Sequence, residues 1–223
     1  MMAGYGALIT LENGNPFITP NSTPFCLYQK VTVNSANTGG NFQVASVDIP
    51  IDASYPAIVF CKTSNAATVV AMRVGNVIRV GSSSPNGYSH TLTAYVFAIF
   101  PQTLPAWGMA IWDENGKLVL TNESRVLSDL VTIGTPGNGG GINIDQTLSG
   151  SYAIVPTLLG SSLYQVMVQG QPVIINVTAY AGALFNGSTT RINAQGSQIG
   201  QGSPAGGTNT GVAITAINTA AYD

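Results

Sequence analysis

The chain has 223 residues, of which 45% are hydrophobic and only 7% charged, with a net charge of −2; about 25% charged residues is usual. That balance permits a packed core and argues against the basic patch on which nucleic-acid binding depends. The missing charge is replaced by Ser, Thr, Asn, Gln and Gly: from Gln146 to Tyr222 the only charged side chain is Arg191. The longest apolar run, Ala94 to Phe100, is far shorter than the roughly 20 residues a spanning helix needs. Residues 1–11 lack the positive n-region and apolar run of a signal peptide. A soluble chain made in a cytoplasm, with no membrane insertion, is therefore expected.

Runs of Val, Ile, Thr, Tyr and Phe recur, broken by Gly, Asn, Pro and Ser, which is a β pattern. No amphipathic helix stands out. Ala7–Leu11 and Pro16–Thr19 are predicted to pair across Glu12-Asn13-Gly14. Phe25–Asn34 reads as a longer strand, Ala36–Asn41 as a loop, Phe42–Ile49 as an alternating strand and Ala57–Lys62 as a short apolar one. Ala67–Val80 is a predicted hairpin with Gly75-Asn76 at its turn, a pair suited to type II′. Gly81–Ser89 reads as a polar loop and Thr91–Phe100 as a buried strand. Pro101–Ala106, with two prolines, reads as a linker.

Trp107–Leu127 is the second appearance of a pattern already present at Tyr5–Phe25. At a constant offset of 102, Tyr5 falls on Trp107, Gly6 on Gly108, Ile9 on Ile111 and Glu12-Asn13-Gly14 on Glu114-Asn115-Gly116. An internal repeat bears directly on architecture. It leads to the expectation of an all-β protein of two tandem, duplicated, antiparallel β-sandwich-like domains, residues 1–103 and 104–223, each opening with a hairpin. In the second half, Arg125–Ile133 is a predicted strand, Gly134–Gly141 a flexible loop and Tyr152–Val155 a short strand. Tyr164–Tyr180 is a predicted hairpin with Gly170-Gln171 at the turn. Gly196–Gly207 reads as low-complexity chain, mobile or ordered by a partner, and Gly211–Tyr222 as the closing strand.

In the Trp107–Leu127 hairpin, Asp113 is expected opposite Lys117, where a cross-strand charge pair would help hold register. Ala110, Trp112, Leu118 and Leu120 fall on one face, and Trp107, Met109, Ile111 and Val119 on the other. A hairpin with one wet face would alternate apolar with polar. Trp107, Met109, Ile111 and Val119, with Tyr5 and Ile9 of the first copy, are therefore candidate interface residues. The alternative is a strand pair with both faces covered inside one domain.

Catalytic constellations are absent from the pattern. His90 is the only histidine; it lies beside a polar loop, is expected to be solvated there, and no G-x-S-x-G elbow accompanies it. One His and two distant cysteines give no zinc spacing, and Asp113–Gly116 lacks the alternation of a calcium loop. The glycines at 137 and 139–141 lack the Lys-Ser/Thr that grips phosphate. Neither a cofactor nor a metal is expected, and no catalytic residue. Cys26 and Cys61, in strand-like runs, could pair, with a reduced, buried pair of small apolar side chains as the expectation. Trp107, Trp112, Tyr88, Tyr95 and Tyr180 could line a sugar or protein surface, with core packing as the default. Tyr88, His90, Gln198 and Gln201, in or beside the long polar segments, are candidate recognition residues.

The run W/Y-G-x-x-I-x-x-E-N-G resembles a motif of structural proteins in tailed bacteriophages and prophages, commonly Y-G-[apolar]-x-[apolar]-[YWF]-[DN]-x-x-G-x there, which Trp107, Gly108, Ile111, Trp112, Asp113, Asn115 and Gly116 match. Leu120-Thr121-Asn122 departs from the acidic-serine turn usual there, and Pro16 makes the first copy depart further. The whole chain resembles an uncharacterised family found in tail modules of lambdoid siphophages. That resemblance implies a virion tail component near the tip or fibres, assembled in the host cytoplasm, with other tail proteins as partners, a trimer favoured as homo-oligomer and no catalytic residues. A receptor- or glycan-binding adhesin meeting a host surface receptor is the second expectation, and a wall or polysaccharide hydrolase the third.

Overall fold

The computed structural model describes residues 9–10, 16–18, 23–113 and 115–223. Tyr5, and the turn expected at Glu12-Asn13-Gly14, lie outside them. Among the described residues the fold is all-β. The first half holds β1 (Ile9–Thr10), β2 (Pro16–Ile18), β3 (Cys26–Asn34), β4 (Ala36–Gly39), β5 (Phe42–Pro50), β6 (Ala57–Thr63), β7 (Thr68–Val74), β8 (Val77–Ser84) and β9 (Thr91–Ala98). After it come β10 (Ala110–Trp112), β11 (Leu118–Thr121), β12 (Leu130–Ile133), β13 (Asp145–Ser149), β14 (Tyr152–Ile154) and β15 (Leu158–Val168). The chain ends with β16 (Gln171–Phe185), β17 (Thr189–Gly196), β18 (Ser203–Asn209) and β19 (Ile214–Asn218); one short 3-10 turn, Gly141–Asn143, precedes β13.

An antiparallel sheet of four strands, in the order β4-β5-β8-β7, packs against a sheet of eleven. β9 shows how the larger sheet is filled. Its even positions, Leu92, Ala94 and Val96, join Ala45, Ile49, Val69 and Val80 of the small sheet in one core. Its odd positions Tyr95 and Phe97 join Phe60, Ala153, Ile217 and Tyr222 on the opposite face. A strand buried on both faces reads as a continuous apolar run rather than an alternation, and Ala94 to Ala98 of β9 does.

The large sheet crosses residue 104. β6 pairs with β9 along its whole length, while its other edge meets β14 at Cys61–Ile154 and, in parallel, β16 at Thr63–Leu184. Ile133, Ile154, Leu159, Ala181 and Ile214 sit in the same core as Val59 and Leu92. The boundary expected between 103 and 104 therefore divides a shared sheet and a shared core.

Several local expectations need correction. Ala36–Gly39, expected in a loop, is the edge strand β4, because Asn37 Oδ1 accepts from Gly39 N at 2.8 Å and turns the chain into β5. Gly81–Ser84, expected in a polar loop, continues β8 against β5. Arg125–Ile133 is not one strand. Leu27 N donates to Arg125 O and Leu127 N to Phe25 O, the chain bends at Asp129 with φ +55°, and β12 then pairs with β19. The β15–β16 turn sits one residue earlier than expected, at Gln169-Gly170. Part of the Gly196–Gly207 segment is strand: its first residue ends β17 and its last five belong to β18, which pairs with β15.

Candidate functional site: an apolar arm and the cleft at its base

The β15–β16 hairpin is the longest element pair, with register running from Leu158–Tyr180 out to Val168–Gln171. The inner part of β16 buries Ala179, Ala181, Gly182 and Ala183 in the body and pairs with β17. β18 supports β15 only from Gly160 to Gln165. Beyond that point the hairpin is a two-stranded ribbon. Side chains alternate across a strand, so Met167 and Ile174 lie on one face of the ribbon and Val168 and Val173 on the other. All four are exposed.

At the base of the arm, on the face that carries Ser162, Tyr164 and Val166, lies a cleft of about 440 Å³. Its polar lining is Asn86, Ser162, Tyr164, Gln195 and Gln198, and no charged residue lines it. Gln195 Nε2 donates to Asn193 Oδ1 at 2.6 Å, and Gln198 Nε2 donates to Asn176 O at 2.9 Å. Those bonds fix the two amides and leave each its oxygen and second N–H. Gly200 packs directly on Tyr164: a Cβ there would stand 2.5 Å from the ring Cζ, so only glycine allows that approach.

A separate polar cluster surrounds Asp223. Its carboxylate accepts from Lys62 Nζ, Thr219 Oγ1 and the Tyr95 hydroxyl, and pairs with Lys30 Nζ at 3.0 Å. Lys62 Nζ also donates to Ser151 Oγ at 2.7 Å. Burial opposes ionisation of Asp223, but hydrogen bonds from Tyr95, Lys30, Lys62 and Thr219 outweigh it and hold the carboxyl well below its usual range. Burial lowers the Lys62 ammonium and raises the Tyr95 phenol; the Asp223 carboxylate offsets the first shift and adds to the second.

The candidate interface residues are split. Trp107 is 81% exposed, Met109 is exposed and Ile111 half-buried, but Val119 is buried at 3%. β11 buries Val119, Leu120 and Thr121 in succession, so Val119 is covered within the chain rather than offered to a partner. Ile9 pairs with Ile18 in the first hairpin. Gly116 holds the left-handed φ of +75° expected of the second hairpin's turn. Instead of forming a cross-strand ion pair, the Asp113 carboxylate accepts from Asn115 N at 2.9 Å and Lys117 N at 2.8 Å. An Asp side chain beside its own turn reaches backbone N–H groups more readily than a long Lys.

Among the candidate recognition residues, Tyr88 and Gln201 are exposed and Gln198 lies on the cleft. His90 is not solvated. It is 4% exposed, with Nε2 at 2.7 Å from Ser82 Oγ and Nδ1 at 3.0 Å from Tyr88 O. The extension of β8 places Ser82 beneath it, so the histidine serves as a core strut. Of the candidate aromatics, Trp107, Trp112 and Tyr88 are exposed, Tyr180 is half-buried and Tyr95 is in the core. Cys26 and Cys61 are buried free thiols.

The arm is the hairpin expected over Tyr164–Tyr180, but its exposure on both faces and the Asp223 cluster lie beyond the sequence reading. The arm had a signal: YQVMV and PVII carry apolar residues at both parities with no charge. The cluster had none, because Lys62, Tyr95 and Asp223 are brought together only by long-range pairing. Among the described residues no helix is long and apolar enough to cross a membrane, and no group of three or more His, Cys, Asp or Glu could hold a metal ion. Comparison with family models, with curated proteins and with solved structures finds no match to this chain.

Proposed function

We propose that the chain is a structural component of a bacteriophage tail, in the tip or fibre region, acting through protein–protein packing. The tail reading rests on the resemblance of the Trp107–Gly116 hairpin. The packing mode rests on one observation: an uncharged arm whose Met167, Val168, Val173 and Ile174 are exposed on both faces. Exposed apolar surface of this kind marks interaction sites, and a ribbon apolar on both faces is fully covered only when it enters a partner rather than lying on one. Neighbouring tail subunits or copies of the same chain meet that requirement, with a trimer as the favoured homo-oligomer. Proteomic analysis of particles released by the strain that encodes the chain should find it in the virion; particles that lack it would overturn the tail assignment. For the packing mode, the double variant Met167→Asp, Ile174→Asp should keep its β circular-dichroism spectrum but lose higher-order species in light scattering. An unchanged assembly state would remove the arm as the contact.

A further inference from the structure

We propose that the cleft at the base of the arm is a binding site for an uncharged saccharide, of about mono- to disaccharide size. Its volume of about 440 Å³ falls within the roughly 300–1,000 Å³ typical of small-molecule sites. The chemistry of the lining narrows the ligand. With no Lys, Arg, His, Asp or Glu on its walls, the cleft offers no ionic partner to a phosphate, carboxylate or ammonium group, whose desolvation would go uncompensated. A purely apolar ligand fits no better, because it would strip water from the amides of Asn86, Gln195 and Gln198 and from the hydroxyls of Ser162 and Tyr164. Each amide carries both donors and an acceptor, and a sugar hydroxyl likewise donates and accepts. The hydroxyls of Ser162 and Tyr164 and the amide of Asn86 make no hydrogen bond within the described residues, whereas the Gln195 and Gln198 amides are each held by one. The site thus combines fixed groups with unused hydrogen-bonding capacity. The Tyr164 ring, braced by Gly200, and the apolar Val177 and Ile199 supply surface for the C–H faces of a pyranose ring.

The site does not depend on the tail assignment, nor on the arm tip being a packing surface. The test is isothermal titration of the full chain with maltose, lactose and chitobiose as uncharged probes, and with glucuronate and inorganic phosphate as charged ones. At least one uncharged disaccharide should bind in the millimolar range or tighter, and neither charged probe should. Tyr164→Ala should weaken binding about tenfold. Because that change sits in a strand, Asn86→Ala serves as the second variant: its side chain is exposed, in a loop and without a hydrogen bond, and it should weaken binding several-fold with the melting temperature unchanged. The proposal is overturned by silence from all three disaccharides, by equal binding of the charged probes, or by binding that neither variant alters. It is also overturned if Asn86→Ala changes the oligomeric state and leaves sugar binding intact, which would make the cleft a subunit contact.

Discussion

Asp223 shows how much one side chain can gather. Its carboxylate draws together β3 through Lys30, β6 through Lys62 and β9 through Tyr95. Asp223→Asn keeps the shape and removes the charge that compensates Lys62. The carboxylate keeps 38% of its side-chain surface exposed, so solvent screening reduces its worth to about 1–2 kcal/mol. Urea unfolding at pH 7 should show a loss of that order. The folded carboxyl titrates below its unfolded value of about 3.9. The stabilisation is therefore complete above that pH and lost as pH falls through the folded value. The gap between wild type and variant should hold from pH 7 down to about 5 and close only in more acidic solution. A gap that closes near neutrality would place the effect elsewhere. The two thiols give a second check at this scale. Burial pushes Cys26 up to about 11, with a smaller opposing effect from Ser124, and raises Cys61 beyond that. The thiolate is the reactive form, so a thiol-specific disulfide reagent at pH 8 should leave both unmodified in the native chain and titrate two after denaturation.

Elements were legible where local chemistry decides them. The hairpin at Gly75-Asn76, the second hairpin of the repeat with its turn at Gly116 and the apolar strand β9 follow from apolar runs and turn residues. Elsewhere tertiary pairing overrides composition. Gly81–Ser84 is polar, yet it is strand because β5 supplies a partner and Ser82 bonds to His90. The Gly-rich β18 is another case: a Cβ at Gly207 would stand 2.3 Å from Ser161 O, so the glycine that suggested mobility is what lets the strand approach β15. The arm's turn offers a test. Gln169 and Gly170 have φ of +51° and +79°, the signature of a type I′ turn, in which Asn precedes Gly far more comfortably than Gln does. Gln169→Asn should stabilise the arm by a few tenths to about 1 kcal/mol, seen as slower amide exchange at Val168 and Gln171 with no change in the body. Faster exchange at those amides would refute the turn assignment.

At the scale of the whole molecule, the repeat at offset 102 suggested two units, while the pairing of β6 with β9, β14 and β16 joins the halves edge to edge. A duplicated sequence pattern reports local structure. It carries no information about which strands of the two copies become neighbours, because that depends on pairing between residues about 100 apart in the chain. The consequence is thermodynamic. If residues 1–103 and 104–223 held separate cores, each would unfold on its own and urea would resolve two transitions. Here Cys61 and Thr63 on one side, and Ile154 and Leu184 on the other, face one another across adjacent strands, while Phe97 packs edge-on against Tyr222 at 4.9 Å. Cutting the chain at 103 would strip one edge of β6 of its partners and uncover Phe60 and Phe97, exposing apolar surface and unpaired backbone together. A single transition should therefore be followed alike by tryptophan fluorescence, which reports on Trp107 and Trp112, and by far-ultraviolet circular dichroism, which reports on all the sheets. Each half expressed alone should aggregate or give a disordered spectrum, and co-expression should recover folded material. Two resolved transitions, or one half that folds alone with a cooperative melt, would show that the shared sheet is a docking of independent domains.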